Sequence, residues 1–373
     1  MKAVVLDADG REHPVGSVAT PWRAVPTGAE AAPEDLVAVA LAAIRLALGN
    51  APEGRVVACG VTGMAEAGVL LDGRGTPVAP VIAWYDRRGG EQGRRLAAEL
   101  PGFGRRTGLP PGPLCSLAKQ AWLAEQGIRG ARWLNVPEWV VHRLGGDQVA
   151  ELSLASRTGF LEVGRRAWWP DALAWLGAPP GYLPEPRPAG TFAGRCVMAE
   201  AAGAVLTVAG HDHPCAGLGA GATGPGDVLD SCGTAEALVL AVEPPVPAPK
   251  VELAVSRGLT VGWHVLPGRQ AVMAGFESGR LLEAGKATAE ELAAVAARLL
   301  HSMEDLFGPA GRLVVVGGAA RRPDVQDAKH RALGAFEQPD VVEAGAVGAA
   351  LLGGRAAGLS FDSVAERPQA PRL

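Results

Sequence analysis

A run of apolar residues long enough to cross a bilayer is missing from this sequence. The longest such run near the carboxyl end, AGAVGAALLGG at 344–354, is too short for a transmembrane helix. The start, MKAVVLDADGREH, has no apolar stretch of the signal-peptide kind. A strong excess of one charge is also missing, since 35 Lys and Arg stand against 39 Asp and Glu. We therefore expect neither a membrane nor a nucleic acid as a partner.

Cysteines are few and are not arranged in pairs. The 5 cysteines are far apart and include no Cys-x-x-Cys, which indicates reduced thiols rather than a disulfide framework. Hydrophobic residues make up 48% and charged residues 20%, the composition of a folded globular protein. We predict a soluble, cytoplasmic protein with enough residues for two domains.

Strand and helix patterns alternate along both halves of the chain. Apolar segments that predict strands include 55–61, 204–210, 251–266 and 312–318. Helical spacing is found at 33–48, 91–100, 116–126, 137–144, 165–177, 287–306 and 343–357. Because each half has strands followed by helices, we predict two similarly built lobes. We place the boundary near 205, which gives domains 1–205 and 206–373.

The stretch AGHDHPCAGLGAG at 209–221 places one carboxylate between two histidines in a loop of small residues. Asp212 follows a predicted strand, a position that suits a general base for a hydroxyl. Two alternatives stay open. Asp212 or His213 could cap the following helix, or His211 and His213 could bind zinc. Zinc is the weaker alternative, because the spacing offers no apparent third ligand.

Two further glycine turns follow strands in the second half. They are DSCGTAEA, with Gly233 and Thr234, and VVVGGAARR, with Gly317 and Gly318. Glycine permits positive φ and lets backbone N–H groups approach a phosphate. Each turn alone is more often an ordinary connection between strands. Together with the loop around Asp212 they favour nucleotide binding, although neither matches a Walker A or a dinucleotide motif.

Two acids of the first half lie at the ends of predicted strands. WYDRR at 84–88 combines an aromatic ring, Asp86 and two guanidinium groups, which is typical of a polyol site. The alternative is a cluster of surface ion pairs. Glu66 lies in the turn TGMAEAG, where it either binds a hydroxyl or is an exposed turn acid.

Taken in order, these segments resemble the FGGY family of carbohydrate kinases. The matching segments are TGMAEAGVLLDGRGTPVAPVIAWYDRR, ELSLASRTGF, AGHDHPCAGLGAG, GDVLDSCGTAEAL, VVVGGAARRPDVQ and EAGAVGAALLGGRAAG. The resemblance extends from residue 2 to about residue 358. It implies a two-lobed α/β fold of the actin-like, ribonuclease-H-like type. It also implies a sugar-binding lobe at 1–205, an ATP-binding lobe at 206–373, and a cleft between them.

The resemblance implies a role for individual residues. Asp212 has the position of the general base that takes the proton from a hydroxyl of a small sugar or polyol. ATP and Mg²⁺ are the implied cofactors, and a homodimer is an open alternative for the assembly. The implied sugar contacts are Glu66, Trp84 and Asp86, and the implied ATP contacts are Gly233, Thr234, Gly317 and Gly318.

The sequence departs from the family pattern in two places. Family members begin with a strand that ends in an Asp-x-Gly-Thr-Thr turn, ahead of the segment matched here by KAVVLDADG. The region between GFESGRLLEAG and RLVVVGG is also short. The first departure leaves two expectations open: the natural start lies upstream, or the protein is a catalytically impaired relative that binds a sugar or nucleotide.

Overall fold

The computed structural model describes residues 1–233 and 235–359. Within these residues, no helix combines the length and the apolar character needed to cross a bilayer. Thr234 lies outside the described residues, as does 360–373 at the end of the predicted second domain. The expected role of Thr234 therefore stays a prediction.

The strands are short in the first half of the chain and longer in the second. They are β1 (Lys2–Ala3), β2 (Gly16–Ser17), β3 (Arg23–Val25), β4 (Gly28–Ala31), β5 (Ala58–Gly63), β6 (Gly68–Leu71), β7 (Val81–Ile82), β8 (Arg132–Asn135), β9 (Ala150–Glu151), β10 (Leu161–Glu162), β11 (Ala167–Trp168), β12 (Pro186–Arg187), β13 (Val205–His211), β14 (Val228–Cys232), β15 (Glu236–Val242), β16 (Thr260–Trp263), β17 (Gln270–Phe276) and β18 (Leu313–Val316).

The α-helices lie between these strands. They are α1 (Pro33–Gly49), α2 (Gly90–Glu99), α3 (Phe103–Thr107), α4 (Ser116–Glu125), α5 (Val136–Arg143), α6 (Leu152–Ala155), α7 (Pro170–Leu176), α8 (Asp212–Gly219), α9 (Ala248–Ser256), α10 (Gly279–Glu283), α11 (Ala289–Phe307), α12 (Pro323–Leu333) and α13 (Ala344–Ala356).

A five-stranded sheet forms the centre of the second half. Its order is β16-β17-β15-β14-β18, in which β14 and β18 are parallel and the other neighbours are antiparallel. Val, Leu and Ala dominate these strands, which are buried along most of their length, as in a sheet covered on both faces. Because β14 and β18 run in the same direction, the turns that follow them lie at the same end of the sheet.

Strand β13, which leads into Asp212, pairs with a strand of the first half. It is parallel to β5, with Val205 opposite Ala58 and His211 opposite Gly63. The expected domain boundary at 205 coincides with the first residue of β13. The division into domains 1–205 and 206–373 stays a prediction.

Glycines allow helix α13 to approach both α8 and β5 closely. A side chain on Gly348 would collide with the carbonyl of Cys215 in α8, and one on Gly60 would collide with the carbonyl of Ala349. Such contacts exclude any Cβ and bring backbones into direct contact. Helix α13 therefore connects α8, whose first residue is Asp212, with β5, the strand that precedes Glu66.

Two predictions from periodicity differ from the structure. Residues 251–256, predicted as strand, belong to helix α9, because Val251 and Ala254 bury one helical face and Pro249 starts the first turn. Tryptophan-rich 165–177 contains β11 and a shorter helix, α7, which begins at Pro170. The predicted helices at 33–48, 116–126 and 287–306 are confirmed to within a few residues.

Candidate active site

Asp212 follows a distortion at the end of β13. The register of β13 against β5 shifts between Val208 and Gly210, and Gly210 has a φ of +94°. A Cβ on Gly210 would lie 2.5 Å from the hydroxyl oxygen of Ser153, so only glycine fits there. Bulges of this kind redirect the side chains that follow them. Gly210 and His211 still pair with β5 beyond the bulge, and the chain then turns into α8 at Asp212.

The Asp212 side chain is 44% exposed and is engaged on one oxygen only. The backbone N–H of His213 donates to Oδ1 at 2.9 Å, and Nε2 of His211 lies 3.3 Å from the same atom. Within the described chain, Oδ2 accepts no hydrogen bond from another residue. Burial acts against ionisation, but the imidazoles of His213 and His211 outweigh it and hold the pKa of Asp212 below its ordinary value. Asp212 is therefore an ionised base with one free oxygen.

The geometry of this loop bears on both alternatives. Asp212 is the first residue of α8 and His211 precedes it without a side-chain capping bond, so the expectation of a cap at Asp212 or His213 is wrong. The expectation that no third zinc ligand is near the two histidines is also wrong, because Asp212 offers one. Ligand atoms of His211, Asp212 and His213 lie within 4.8 Å of one another.

His211 is buried between the base and the first half of the chain. Its backbone N–H donates to the Ser153 hydroxyl at 2.9 Å, while the ring atom Nδ1 is buried without a partner. Burial lowers the pKa of His211 to about 4, and the nearby carboxylates of Asp212 and Glu66 oppose this only in part. The imidazole is neutral at pH 7 and packs beside both acids.

Glu66 has a backbone conformation that is rare for a residue with a side chain. Its φ is +58°, and its carboxylate is buried. Nε of Arg157 donates to Oε1 at 2.5 Å, and Nη1 of Arg157 donates to the Thr260 hydroxyl at 2.7 Å. Oε2 of Glu66 accepts no hydrogen bond within the described residues. Strain of this kind persists where the surrounding structure requires it, often at functional sites.

Glu66 and Asp212 thus belong to one group of side chains, although they are 146 positions apart in the sequence. His211 interacts electrostatically with Asp212, Glu66 and Arg157. We call these four residues the acid cluster. Sequence reasoning missed Arg157, whose only signal was its place in the segment ELSLASRTGF.

A buried lysine, Lys119, fixes the backbone of Trp84. Nζ of Lys119 donates to the carbonyl of Trp84 at 2.9 Å and to the carbonyl of Pro113 at 2.6 Å. Burial lowers the pKa of Lys119 to about 8, and Glu66 opposes this shift. The half-buried ring of Trp84 meets Tyr85 edge to face at 5.4 Å. Nothing in the sequence distinguishes Lys119 from a lysine exposed to solvent.

Asp86 is buried and uses both carboxylate oxygens within the protein. Arg88 donates to Oδ1 from Nε at 3.0 Å and to Oδ2 from Nη2 at 2.9 Å, while the Thr27 hydroxyl donates to Oδ2 at 3.2 Å. The ion pair around WYDRR is therefore a buried one, not a surface cluster. A contact between Asp86 and a sugar stays a prediction.

The two glycine turns meet at one end of the five-stranded sheet. Gly317 has a φ of +104°, and a side chain there would collide with the backbone carbonyl of Cys232. Gly233, the next residue after Cys232, is exposed. A Cβ on Gly318 would meet nothing within 4 Å. We call Gly233 and Gly317–Gly318 the glycine turns. Gly233 and Gly318 are exposed at this end of the sheet, and the N–H of Gly233 donates to the carbonyl of Ala235 at 3.0 Å. Binding of nucleotide phosphates there stays a prediction.

A known sequence family matches the first part of the chain. The pattern of the "FGGY family of carbohydrate kinases, N-terminal domain" matches residues 1–219. The chain belongs to the FGGY family of carbohydrate kinases.

Curated relatives match over part of their length. A xylulose kinase of Streptomyces rubiginosus is 34% identical over 177 residues, which are 44% of this chain and 37% of that protein. A glycerol kinase of Thermococcus gammatolerans is 29% identical over 198 residues, 50% of this chain and 40% of that protein. The matched part of the chain thus spans less than half the length of these relatives.

Solved structures match nearly the whole chain. The ligand-bound xylulose kinase from Lactobacillus acidophilus has a TM-score of 0.83 at 15% identity and covers 98% of this chain and 88% of that one. Plasmodium falciparum glycerol kinase with ADP has a TM-score of 0.82 at 15% identity, covering 98% and 89%. The chain therefore has the two-lobed, actin-like α/β fold predicted for it.

Proposed function

We propose that the protein is an ATP-dependent kinase that phosphorylates a hydroxyl of a small sugar or polyol, with Asp212 as the general base. The observation that carries the proposal is the Asp212 carboxylate, which is ionised, half-exposed and free at Oδ2. A base of this kind can take a proton from an alcohol as the alcohol attacks a phosphoryl group.

In this proposal the two histidines fix the orientation of the Asp212 carboxylate. His213 holds Oδ1 through its backbone N–H, and the His211 ring lies against the same oxygen. With Oδ1 held on one side, Oδ2 is the atom directed to the substrate hydroxyl. Positioning of a reacting group contributes a large share of the rate in phosphoryl transfer.

The acceptor binds between Glu66 and Trp84 in this proposal. Arg157 holds Oε1 of Glu66, which leaves Oε2 to accept a hydrogen bond from a hydroxyl. The Trp84 ring offers an apolar face to the sugar carbons. Asp86, predicted as a third contact, fixes the orientation of this segment through its bonds to Arg88.

The glycine turns bind the nucleotide in this proposal. ATP supplies the phosphoryl group, and Mg²⁺ bound to its phosphates neutralises charge. In this proposal the backbone N–H groups of Gly317–Gly318 donate to the phosphates, with the Thr234 hydroxyl predicted as a further donor. Gly233, whose own N–H donates to the carbonyl of Ala235 at 3.0 Å, lets a phosphate come close because it has no side chain. Mg²⁺ prefers oxygen ligands and is mostly held by phosphates and one or two carboxylates. In this proposal Mg²⁺ would be held by the ATP phosphates, because Oδ2 of Asp212 faces the substrate hydroxyl.

We assign sugar binding to 1–205 and ATP binding to 206–373, so that closure of the two lobes excludes water from the reaction. The five cysteines are unpaired, which agrees with the cytoplasmic location expected from the sequence.

The test is release of ADP from Mg²⁺-ATP in the presence of xylulose, glycerol or gluconate, measured with the wild type and with Asp212→Asn. We expect one acceptor to stimulate ADP release in the wild type only. Equal release by both proteins would overturn the role of Asp212. Binding of an acceptor without any ADP release would instead support the alternative of a sugar- or nucleotide-binding protein on the same fold.

A further inference from the structure

A buried lysine joins the two strands that carry the first glycine turn. Lys329 lies on α12 and is 2% exposed. Its Nζ donates to Oδ2 of Asp230 at 2.5 Å and to Oε1 of Glu236 at 2.7 Å. Both carboxylates are themselves buried. We call Lys329, Asp230 and Glu236 the lysine cluster.

Two members of the lysine cluster, Asp230 and Glu236, lie on the strands that flank Gly233. Asp230 belongs to β14 and Glu236 is the first residue of β15, and the two strands form a hairpin in which Cys232 pairs with Glu236. The turn between Cys232 and Glu236 contains Gly233. One ammonium group therefore holds both strands of the hairpin immediately before and after the turn.

Helix α12, which carries Lys329, follows the second glycine turn. Helix α12 follows Gly317–Gly318 after a single turn of 3-10 helix at Ala319–Arg321. Gly317 packs directly on the backbone of Cys232. The chain thus passes from the second turn into α12, and Lys329 returns to the hairpin of the first turn.

Stability alone does not account for this cluster. Three charges are costly to bury, and well-packed apolar side chains in their place are often as stable or more so. A charged hydrogen bond differs from an apolar contact in that it fixes distance and direction. The lysine cluster can therefore hold the two glycine turns at a fixed distance from each other. Apolar packing alone would define that distance less closely.

We propose that Lys329 is a positioning residue for the nucleotide, because its bonds to Asp230 and Glu236 fix the spacing between Gly233 and Gly317. The inference rests on the proposed nucleotide site. Lys329 is enclosed and both its recorded bonds go to protein carboxylates, so it acts through the turns rather than by touching a phosphate.

The charges of the cluster agree with an indirect role. Burial acts against the charged lysine, but Asp230 and Glu236 outweigh it and keep the pKa of Lys329 well above its ordinary value. Burial and the neighbouring Asp230 raise the pKa of Glu236 to about 7. Near neutral pH the cluster thus has a net charge between zero and minus one, and it offers no positive field to attract a phosphate.

The test is the affinity for Mg²⁺-ATP, measured by calorimetry on the full chain without sugar. Lys329→Met leaves two buried carboxylates facing each other and is expected to weaken binding by about 10-fold or more. Glu236→Gln keeps the shape of the side chain and should weaken binding by about 3-fold. The KM for the sugar that supports turnover should stay within about 2-fold of the wild type in both variants, since the acid cluster is unchanged.

Two further variants separate positioning from stability. Val272→Ala creates a cavity in β17 of the same sheet and should lower the melting temperature while Mg²⁺-ATP binding is retained. The triple variant Asp230→Asn, Glu236→Gln, Lys329→Met removes every charge of the cluster. It should melt above Lys329→Met and still bind Mg²⁺-ATP weakly.

The outcomes distinguish this inference from the proposed function. If the wild type binds Mg²⁺-ATP and the triple variant binds it equally well, the positioning role is overturned and the kinase proposal stands. Loss of affinity in Val272→Ala to the same extent as in Lys329→Met would also overturn it, because the effect would then follow stability. If the wild type binds no Mg²⁺-ATP, the proposed function itself fails.

Discussion

The acid cluster and the glycine turns are built in opposite ways. In the acid cluster, charged side chains from separate segments meet, and two carboxylate oxygens accept no hydrogen bond from another residue among 1–233 and 235–359. At the glycine turns, the exposed groups are backbone, and the charged side chains lie buried beneath them and are paired with one another. The first arrangement suits a proton transfer, and the second suits an anion that is bound but not changed in protonation.

This difference indicates where each region tolerates substitution. In the acid cluster, an isosteric change that removes charge should affect the chemical step and leave the fold intact. At the glycine turns, an added Cβ should weaken nucleotide binding by steric clash.

Asp212→Asn should reduce the sugar-dependent rate by about 1000-fold, because the amide cannot accept the proton of the attacking hydroxyl. ADP release in a coupled assay measures the effect, and calorimetry should show that the sugar still binds. Asp147→Asn, at an exposed site, is the control and should have the rate of the wild type. A rate for Asp212→Asn within a few-fold of the control would contradict the assignment.

Gly317→Ala should weaken Mg²⁺-ATP binding by about 100-fold, since the methyl group strains a positive φ and pushes against Cys232. Calorimetry with Mg²⁺-ATP checks this. The matched control is Gly49→Ala at the end of α1, where a Cβ meets nothing within 4 Å. If both variants bound nucleotide like the wild type, the second glycine turn would have no part in the site.

Arg157→Met should raise the sugar KM by about 10-fold, because Glu66 would lose the partner that fixes Oε1. The KM for ATP should change little, which sharpens the contrast between the two regions. Arg94→Met, on the surface of α2, serves as the control. A change confined to the KM for ATP would place Arg157 with the nucleotide instead.

His213→Ala should move the acid limb of the kcat/KM profile to higher pH. Burial already favours the neutral acid at Asp212, and the imidazoles of His213 and His211 hold its pKa down against that effect. With one imidazole removed, the rate should begin to fall at a higher pH as acid is added. His301→Ala, on the exposed face of α11, should leave the profile unchanged, and a downward shift in His213→Ala would refute the explanation.

The sequence indicated the backbone features of the site better than its paired charges. Gly233 and Gly317 follow apolar strands, and the conformational freedom of glycine is visible in the sequence itself. Arg157 and Lys329 were missed, because their burial depends on partners 91 and 99 positions away. A lysine in the helical pattern PDVQDAKHRAL is by default a solvated residue.

The fold was predicted well where periodicity and length agreed, as in α1 and α11. It was predicted poorly at α9, where alternating and helical spacing could not be separated over so short a segment. Pairing between distant strands, such as β5 with β13, has no local signal, since it is decided by contacts far apart in the chain.

A crystal structure with a non-hydrolysable ATP analogue, Mg²⁺ and the sugar that supports turnover is the most direct test of how base and phosphates are arranged. The account predicts a sugar hydroxyl within about 3 Å of Oδ2 of Asp212, with the triphosphate lying over Gly233 and Gly317. A triphosphate bound away from these turns, or an Asp212 carboxylate that contacts no hydroxyl, would contradict it.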